Sequence, residues 1–220
     1  EAVVWSDVVR LGLFGVGGLF AVFYIPTLIE GGWGTAMATA REGGKLAWLN
    51  TEFSLGAPFN IWMGLLGATW FVLFTHGIDQ LIAPRVLACR NIADGRKALI
   101  FSAVTIVPMM LLFLFVGVLL WAHYQHTPMA IDIPENAFGK KQTDFAFPIF
   151  MLTEAPVGVK GLLLVGIFAA AMSSVSSALS ALSSVSVMDL GLGASAKDDA
   201  AKLKLSRGIT LFWGIMLVIV

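Results

Sequence analysis

One stretch of the chain is unusually rich in serine, with eight serines between Ser173 and Ser186. Four of them recur at helical spacing and share one face of a helix: Ser173, Ser177, Ser180 and Ser184. Their hydroxyls, with backbone carbonyls freed where a neighbouring helix is broken, are ligands suited to a hard monovalent cation. Small side chains also permit close helix packing. The run therefore indicates either a sodium site or a packing surface between helices.

Two other polar residues stand at the edges of apolar stretches, Asp7 and His76. A carboxylate inside a membrane is costly and marks function, unless it is an interfacial residue paired with a cation such as Arg10, one turn on. His76 is either a pathway residue or a packed neutral imidazole. By contrast, we expect His123 and His126 to be ordinary loop residues. No His, Cys and carboxylate set has metal-ligand spacing, and no nucleophile motif appears, so no enzyme is predicted.

The composition indicates a membrane protein. Hydrophobic residues make up 58% and charged residues 13% of the chain, whereas a soluble domain carries about 25% charged residues. Lipid must therefore cover part of the surface, so the lipid bilayer is an expected partner. The formal net charge of zero argues against nucleic acid as a partner.

Long uncharged stretches indicate the elements that position these residues: Leu11–Ile29, Phe53–Ile78, Ala98–Ala122, Gly161–Met188 and Gly208–Val220. A bilayer core of about 30 Å requires about 20 apolar residues in a helix. We therefore predict an all-α, polytopic bundle forming a single transmembrane domain over residues 1–220. The helices are expected over about residues 3–29, 58–83, 97–122, 159–188 and 207–220. We expect the last to be truncated and the chain to be a fragment of a longer polypeptide.

Lysine and arginine crowd two of the connecting segments, 84–97 and 189–206. Positively charged loops face the cytoplasm in most membrane proteins. The distribution therefore predicts a multi-pass protein of the cell membrane, with these two loops cytoplasmic.

Three motifs, in order and along nearly the whole chain, resemble the sodium/solute symporter family of sodium-coupled sugar, proline and sialic acid transporters. The first is AVVWSDVVR at residues 2–10, and the second is DQLIAPR at residues 79–85. The third runs from PVGVKG at 156–161 through AAAMSS at 169–174 to MD at 188–189. The resemblance implies a five-plus-five inverted-repeat core, of which this chain holds helices 5 to 9. The remaining core helices of the same polypeptide are then expected partners.

The resemblance also implies particular sodium ligands. In the family, a sodium ion sits between a broken helix and the helix that matches the serine-rich stretch. The matching positions here are the Ala170 carbonyl and the Ser173 and Ser174 hydroxyls. Some members hold a second sodium ion, whose positions match Asp7, Ser176 and Ser177. One sodium ion, or two, would then be coupled to each cycle.

On the substrate side, the resemblance implies that Val72, Thr75 and His76 line the path of the solute. These residues depart from those of the sugar carriers, which argues against a hexose. Sialic acid, a carboxylate, an amino acid or another small polar or charged organic solute stays open. The implied function is uptake of such a solute, coupled to inward sodium flow by alternating access. The alternatives are a transporter-like membrane sensor domain of a signalling kinase and a sodium-independent channel or permease.

Overall fold

The structure is a computed structural model that describes residues 2–47, 49–54, 56, 60–77, 82, 86–87, 89–136, 138–192 and 198–219. Its helices are α1 (Ala2–Tyr24), α2 (Gly32–Glu42), α3 (Ile61–Gly77), α4 (Ile92–His126), α5 (Ala146–Thr153), α6 (Val157–Met188) and α7 (Asp199–Ile219). Within the described residues, β-pairing is limited to one isolated bridge between Glu135 and Lys141. The predicted all-α class is confirmed, whereas the inverted repeat stays a prediction.

Three helical segments of the described chain are long and apolar enough to cross a membrane: Asp7–Leu28, Ile92–His126 and Val157–Met188. The apolar helix α3 is shorter than these. Much of the remainder of its predicted span, 58–83, falls on residues outside the described ones. The number of spanning helices, and the single domain over residues 1–220, therefore stay predictions.

Side-chain caps set two helix starts earlier than the hydrophobic pattern predicts. Helix α4 begins at residue 92 rather than 97, because Asn91 Oδ1 accepts a hydrogen bond from the Asp94 N–H at 2.8 Å. Helix α7 begins at residue 199 rather than 207, because Asp198 Oδ1 accepts from the Ala201 N–H at 2.7 Å. Each cap satisfies an amide that otherwise has no partner in the first helical turn. The first turns of both helices therefore lie in segments predicted as loops.

The described chain divides into two compact units, and the first contains Glu1–Trp70 and Arg96–Ile167. Its core is formed by side chains of α1, α4 and α5 and of the 3-10 turn that follows α1, among them Ile25, Leu119 and Phe150. Two glycines bring the α1 backbone close to its neighbours, because Gly17 faces the Leu163 side chain and Gly18 faces Leu112. The first half of α6 thus packs as part of this unit.

Helix α3 contains an irregularity that the sequence pattern does not predict. Residues Gly64–Ala68 form a π-helical turn, with an α-helical turn on either side. Asn60 caps the helix, since its Oδ1 accepts from the Met63 N–H at 2.8 Å. Such π turns widen a helix locally and occur often at functional sites.

The second unit contains Phe71–Gly95 and Phe168–Val220. It therefore holds the end of α3, the serine-rich half of α6 and the whole of α7. Hydrogen bonds between side chains of α6 and α7 connect these two helices. The positions predicted to bind sodium on α6 and the positions predicted to line the solute path on α3 all belong to this unit.

Candidate functional site

On the serine-rich half of α6, one side of the helix carries both backbone carbonyl oxygens and serine hydroxyls, at neighbouring positions along the helix. Ala170, Ser173, Ser174 and Ser177 follow each other at intervals of three, one and three residues, which places them on one side of the helix. Ser174 is exposed, and its hydroxyl forms no hydrogen bond within the described part of the chain. A helical carbonyl such as that of Ala170 keeps a second lone pair after its helical bond is made. This side can therefore supply oxygens to a cation.

Two serines nearer the end of α6, Ser183 and Ser186, project from the side opposite to Ser174 and Ser177. Ser183 lies nine residues after Ser174, and Ser186 lies nine after Ser177, which corresponds to about two and a half helical turns. Both are buried. The packing interpretation of the serine run therefore holds for this pair.

Hydrogen bonds to α7 account for that burial. The Ser183 hydroxyl donates to the Ser206 carbonyl at 2.9 Å and lies 2.9 Å from the Ser206 hydroxyl. Ser186 donates to the Leu182 carbonyl at 2.7 Å and accepts from Trp213 Nε1 at 3.0 Å. These bonds fix α7 against one side of α6, and the side carrying Ser174 makes none of them.

Asp7 forms an ion pair on its own helix. Its Oδ1 lies 2.5 Å from Arg10 Nη1, one turn further along α1, and both side chains are half-buried. The ion pair with Arg10, which was the alternative interpretation of Asp7, is thus present. It lowers the free-energy cost of placing a carboxylate in an apolar segment. Asp7 belongs to the first unit, whereas Ser176 and Ser177 belong to the second. The second sodium site stays a prediction.

Three residues at the end of α3 share a small hydrogen-bond network. His76 Nδ1 lies 3.2 Å from the Val72 carbonyl oxygen and 3.1 Å from the Thr75 hydroxyl. The Thr75 hydroxyl itself donates to the Val72 carbonyl at 3.3 Å. The Val72 side chain is 49% exposed, and Thr75 and His76 are half-buried. These three predicted solute-lining positions therefore do lie together.

The expectation that His123 is an ordinary loop residue is wrong. It lies inside α4 and is 1% exposed, because its ring packs into the core of the first unit. His123 Nε2 is 2.7 Å from Glu154 Oε2, and Tyr124 donates to Glu154 Oε1 at 2.9 Å. The Tyr24 hydroxyl donates to the Glu154 carbonyl at 3.1 Å. Sequence reasoning missed this cluster, because its partners are far apart along the chain.

His126, the other predicted loop histidine, ends α4 and is exposed. Its Nε2 lies 2.8 Å from the Thr39 hydroxyl of α2. No group of three or more His, Cys, Asp or Glu side chains with metal-binding geometry occurs in the described residues. The sodium site at Ala170, Ser173 and Ser174 stays a prediction.

The described chain thus contains long apolar helices, one of which carries a row of serine oxygens. The family model described as "Sodium:solute symporter family" matches residues 1–220, the whole chain. The chain therefore belongs to the sodium:solute symporter family. This result confirms the resemblance carried by the three motifs.

Curated relatives include transporters of several solutes. The chain is 28% identical to the sodium/sialic acid symporter SiaT of Proteus mirabilis (strain HI4320), across 98% of this chain and 42% of the relative. It is 26% identical to the sodium/sialic acid symporter NanT of Aliivibrio fischeri, across 100% of this chain and 42% of the relative. The sodium-coupled monocarboxylate transporter 1 of Homo sapiens is 25% identical, across 86% of this chain and 30% of the relative. The chain thus spans less than half the length of these relatives.

A solved structure shares the fold. It is that of a Na⁺-coupled sialic acid symporter in a substrate-bound, outward-open state, with a TM-score of 0.77 and 25% identity. The match covers 98% of this chain and 44% of that one. The family and this structure are of transporters rather than enzymes. Together with the long apolar helices, they identify the chain as part of a multi-pass membrane protein.

Proposed function

We propose that this chain forms part of a secondary transporter that couples inward sodium flow to uptake of a small polar or charged organic solute. The observation that carries the proposal is the division of α6 into two sides, within a chain matched throughout by the symporter family. Ser183 and Ser186 hold α7, while Ser174 lies on the other side and makes none of those bonds. Family membership supports a role in sodium binding for that second side.

The sodium ion would be held by the Ala170 carbonyl and the Ser173 and Ser174 hydroxyls. Neutral oxygens suit sodium because each replaces a water of its hydration shell without trapping the ion. Three oxygens do not complete such a shell, so further ligands would come from other helices, including an unwound one. A second ion beside Asp7, Ser176 and Ser177 would raise the number of coupled ions to two.

Val72, Thr75 and His76 would line the solute path. The relatives named above transport sialic acid and monocarboxylates, and a solute of that size and polarity fits this function. Sodium entry across the cell membrane would supply about 2.3 kcal/mol per charge per 100 mV. The segments 84–97 and 189–206 would face the cytoplasm, and transport would proceed by alternating access.

Uptake into proteoliposomes that contain the full-length protein tests the proposal. Radiolabelled sialic acid, lactate, pyruvate and glucose are offered with an inward sodium gradient, or with a potassium gradient of equal size. We expect at least one solute to accumulate above its external concentration in sodium only. Equal uptake in sodium and potassium would contradict the proposal, since a sodium-independent permease behaves in that way.

A further inference from the structure

The hydrogen bonds at the end of α3 fix which nitrogen of His76 carries the proton. The Val72 carbonyl oxygen can only accept a hydrogen bond, and it lies 3.2 Å from His76 Nδ1. Nδ1 is therefore the protonated nitrogen. The Thr75 hydroxyl uses its own hydrogen toward the same carbonyl, so its lone pair faces Nδ1 at 3.1 Å. Both neighbours of Nδ1 thus favour the same tautomer.

In a neutral imidazole with its proton on Nδ1, the other nitrogen is only an acceptor. Among the described residues, nothing donates a hydrogen bond to His76 Nε2. Within the described chain, His123 Nδ1 is the one side-chain atom that is buried and has no hydrogen-bond partner. His76 Nε2, which also has no partner there, is therefore not buried. His76 therefore presents an accessible acceptor whose direction is fixed by Val72 and Thr75.

We propose that His76 Nε2 recognises a hydrogen-bond donor on the solute, a hydroxyl or an amine. This inference rests on the proposed function, in which His76 lines the solute path. The Val72 side chain stands one turn earlier on the same side of α3 and offers an apolar surface to the carbon atoms of the solute. The transported class is then a donor-bearing organic solute, rather than one whose polar groups only accept.

Two substitutions distinguish the role of His76 Nε2 from that of His76 Nδ1. In His76→Gln, the side-chain amide reaches the position of Nε2, so its oxygen can still accept from the solute. In His76→Asn, the amide reaches only the position of Nδ1, which keeps a donor toward Val72 and removes the acceptor. The contrast isolates recognition by Nε2 from the local hydrogen bonds that stabilise α3.

The experiment measures sodium-driven uptake by proteoliposomes, using the solute among sialic acid, lactate and glucose that the wild type transports fastest. Immunoblots of the membranes normalise each rate to the amount of protein. We expect the KM of His76→Gln to stay within about twofold of wild type. The KM of His76→Asn should rise about three- to tenfold, the effect of one lost hydrogen bond, with little change in kcat. Equal KM values for the two variants would overturn the inference.

A second measurement needs no variant. Lactate and pyruvate have the same carbon skeleton and carboxylate, but lactate carries a hydroxyl where pyruvate carries a keto oxygen. We expect wild-type protein to prefer lactate, or to transport neither while transporting sialic acid or glucose. Sodium-driven uptake of pyruvate as fast as lactate would overturn the inference and leave the proposed function standing. Equal uptake of the transported solute in sodium and in potassium would instead contradict the proposed function itself.

Discussion

His123 Nε2 and Glu154 Oε2 lie 2.7 Å apart, and this contact joins α4 to the residue that follows α5. The histidine side chain is 2% exposed and the glutamate side chain 22% exposed. The second carboxylate oxygen accepts from Tyr124, and the Glu154 backbone carbonyl accepts from Tyr24. One residue therefore connects α1, α4 and the end of α5 just before α6 begins.

Replacing Glu154 should destabilise the protein. In Glu154→Ala, the buried His123 N–H and the Tyr124 hydroxyl lose their acceptor, which costs about 2 kcal/mol. We expect a lower melting temperature for the purified full-length protein in detergent, and an intermediate value for Glu154→Gln. The control is Glu30→Ala, because Glu30 is exposed and its side chain forms no hydrogen bond within the described residues. Equal melting temperatures for the two alanine variants would contradict a stabilising role of the cluster.

The serines that hold α7 should affect stability and leave ion binding unchanged. Ser186→Ala leaves the Trp213 N–H without its acceptor, and Ser183→Ala removes both contacts with Ser206. Each change should cost about 0.5–1.5 kcal/mol, because hydrogen bonds between membrane helices are modest. Thermal unfolding measures the loss, and Ser184→Ala is the control, since Ser184 is exposed. A Ser186→Ala protein as stable as the control would show that this bond is not needed.

A close approach of α2 to α4 should make one glycine hard to replace. A methyl group added at Gly43 would lie 2.6 Å from Trp121 Cζ3, and a rigid ring cannot move aside easily. We expect Gly43→Ala to cost about 1–3 kcal/mol through overpacking. Gly34→Ala, on α2 itself, meets no atom within 4 Å and should be neutral or stabilising. Thermal unfolding compares the two variants, and equal stability would contradict the packing of Gly43 on Trp121.

The role of Asp7 is tested by comparing it with its partner. If Asp7 contributes to a second sodium site, Asp7→Asn should lower the Hill coefficient of sodium-driven uptake toward one. Arg10→Gln removes the other half of the ion pair and should leave the Hill coefficient unchanged. A sodium titration of uptake measures both. The same change in both variants would assign Asp7 to the ion pair and not to a sodium site.

The fold class and the length of α6 were predictable from sequence because they depend on local pattern. The apolar run ends before Asp189, and the helix ends at Met188, while Pro156 stands just before its first residue. Helix starts were less predictable. Bilayer thickness limits only the apolar part of a helix, whereas the caps at Asn91 and Asp198 begin α4 and α7 in polar sequence.

The histidine cluster was not predictable at all. His123 and Glu154 are separated by 31 residues, and no short-range pattern links them. The two sides of the serine run were predictable only in part. Helical spacing shows which serines share a face, but it does not show which helix packs against that face. The structure shows that Trp213 of α7 occupies one side.

The sodium dependence of uptake by Ser174→Ala tests the central claim most directly. Ser174 is exposed and forms no hydrogen bond within the described residues, so its loss should leave folding intact. We expect the sodium concentration for half-maximal uptake to rise at least about tenfold, since a ligand to a partly desolvated ion is lost. The control, Ser184→Ala, should match wild type. A Ser174→Ala protein with wild-type sodium dependence would contradict the account.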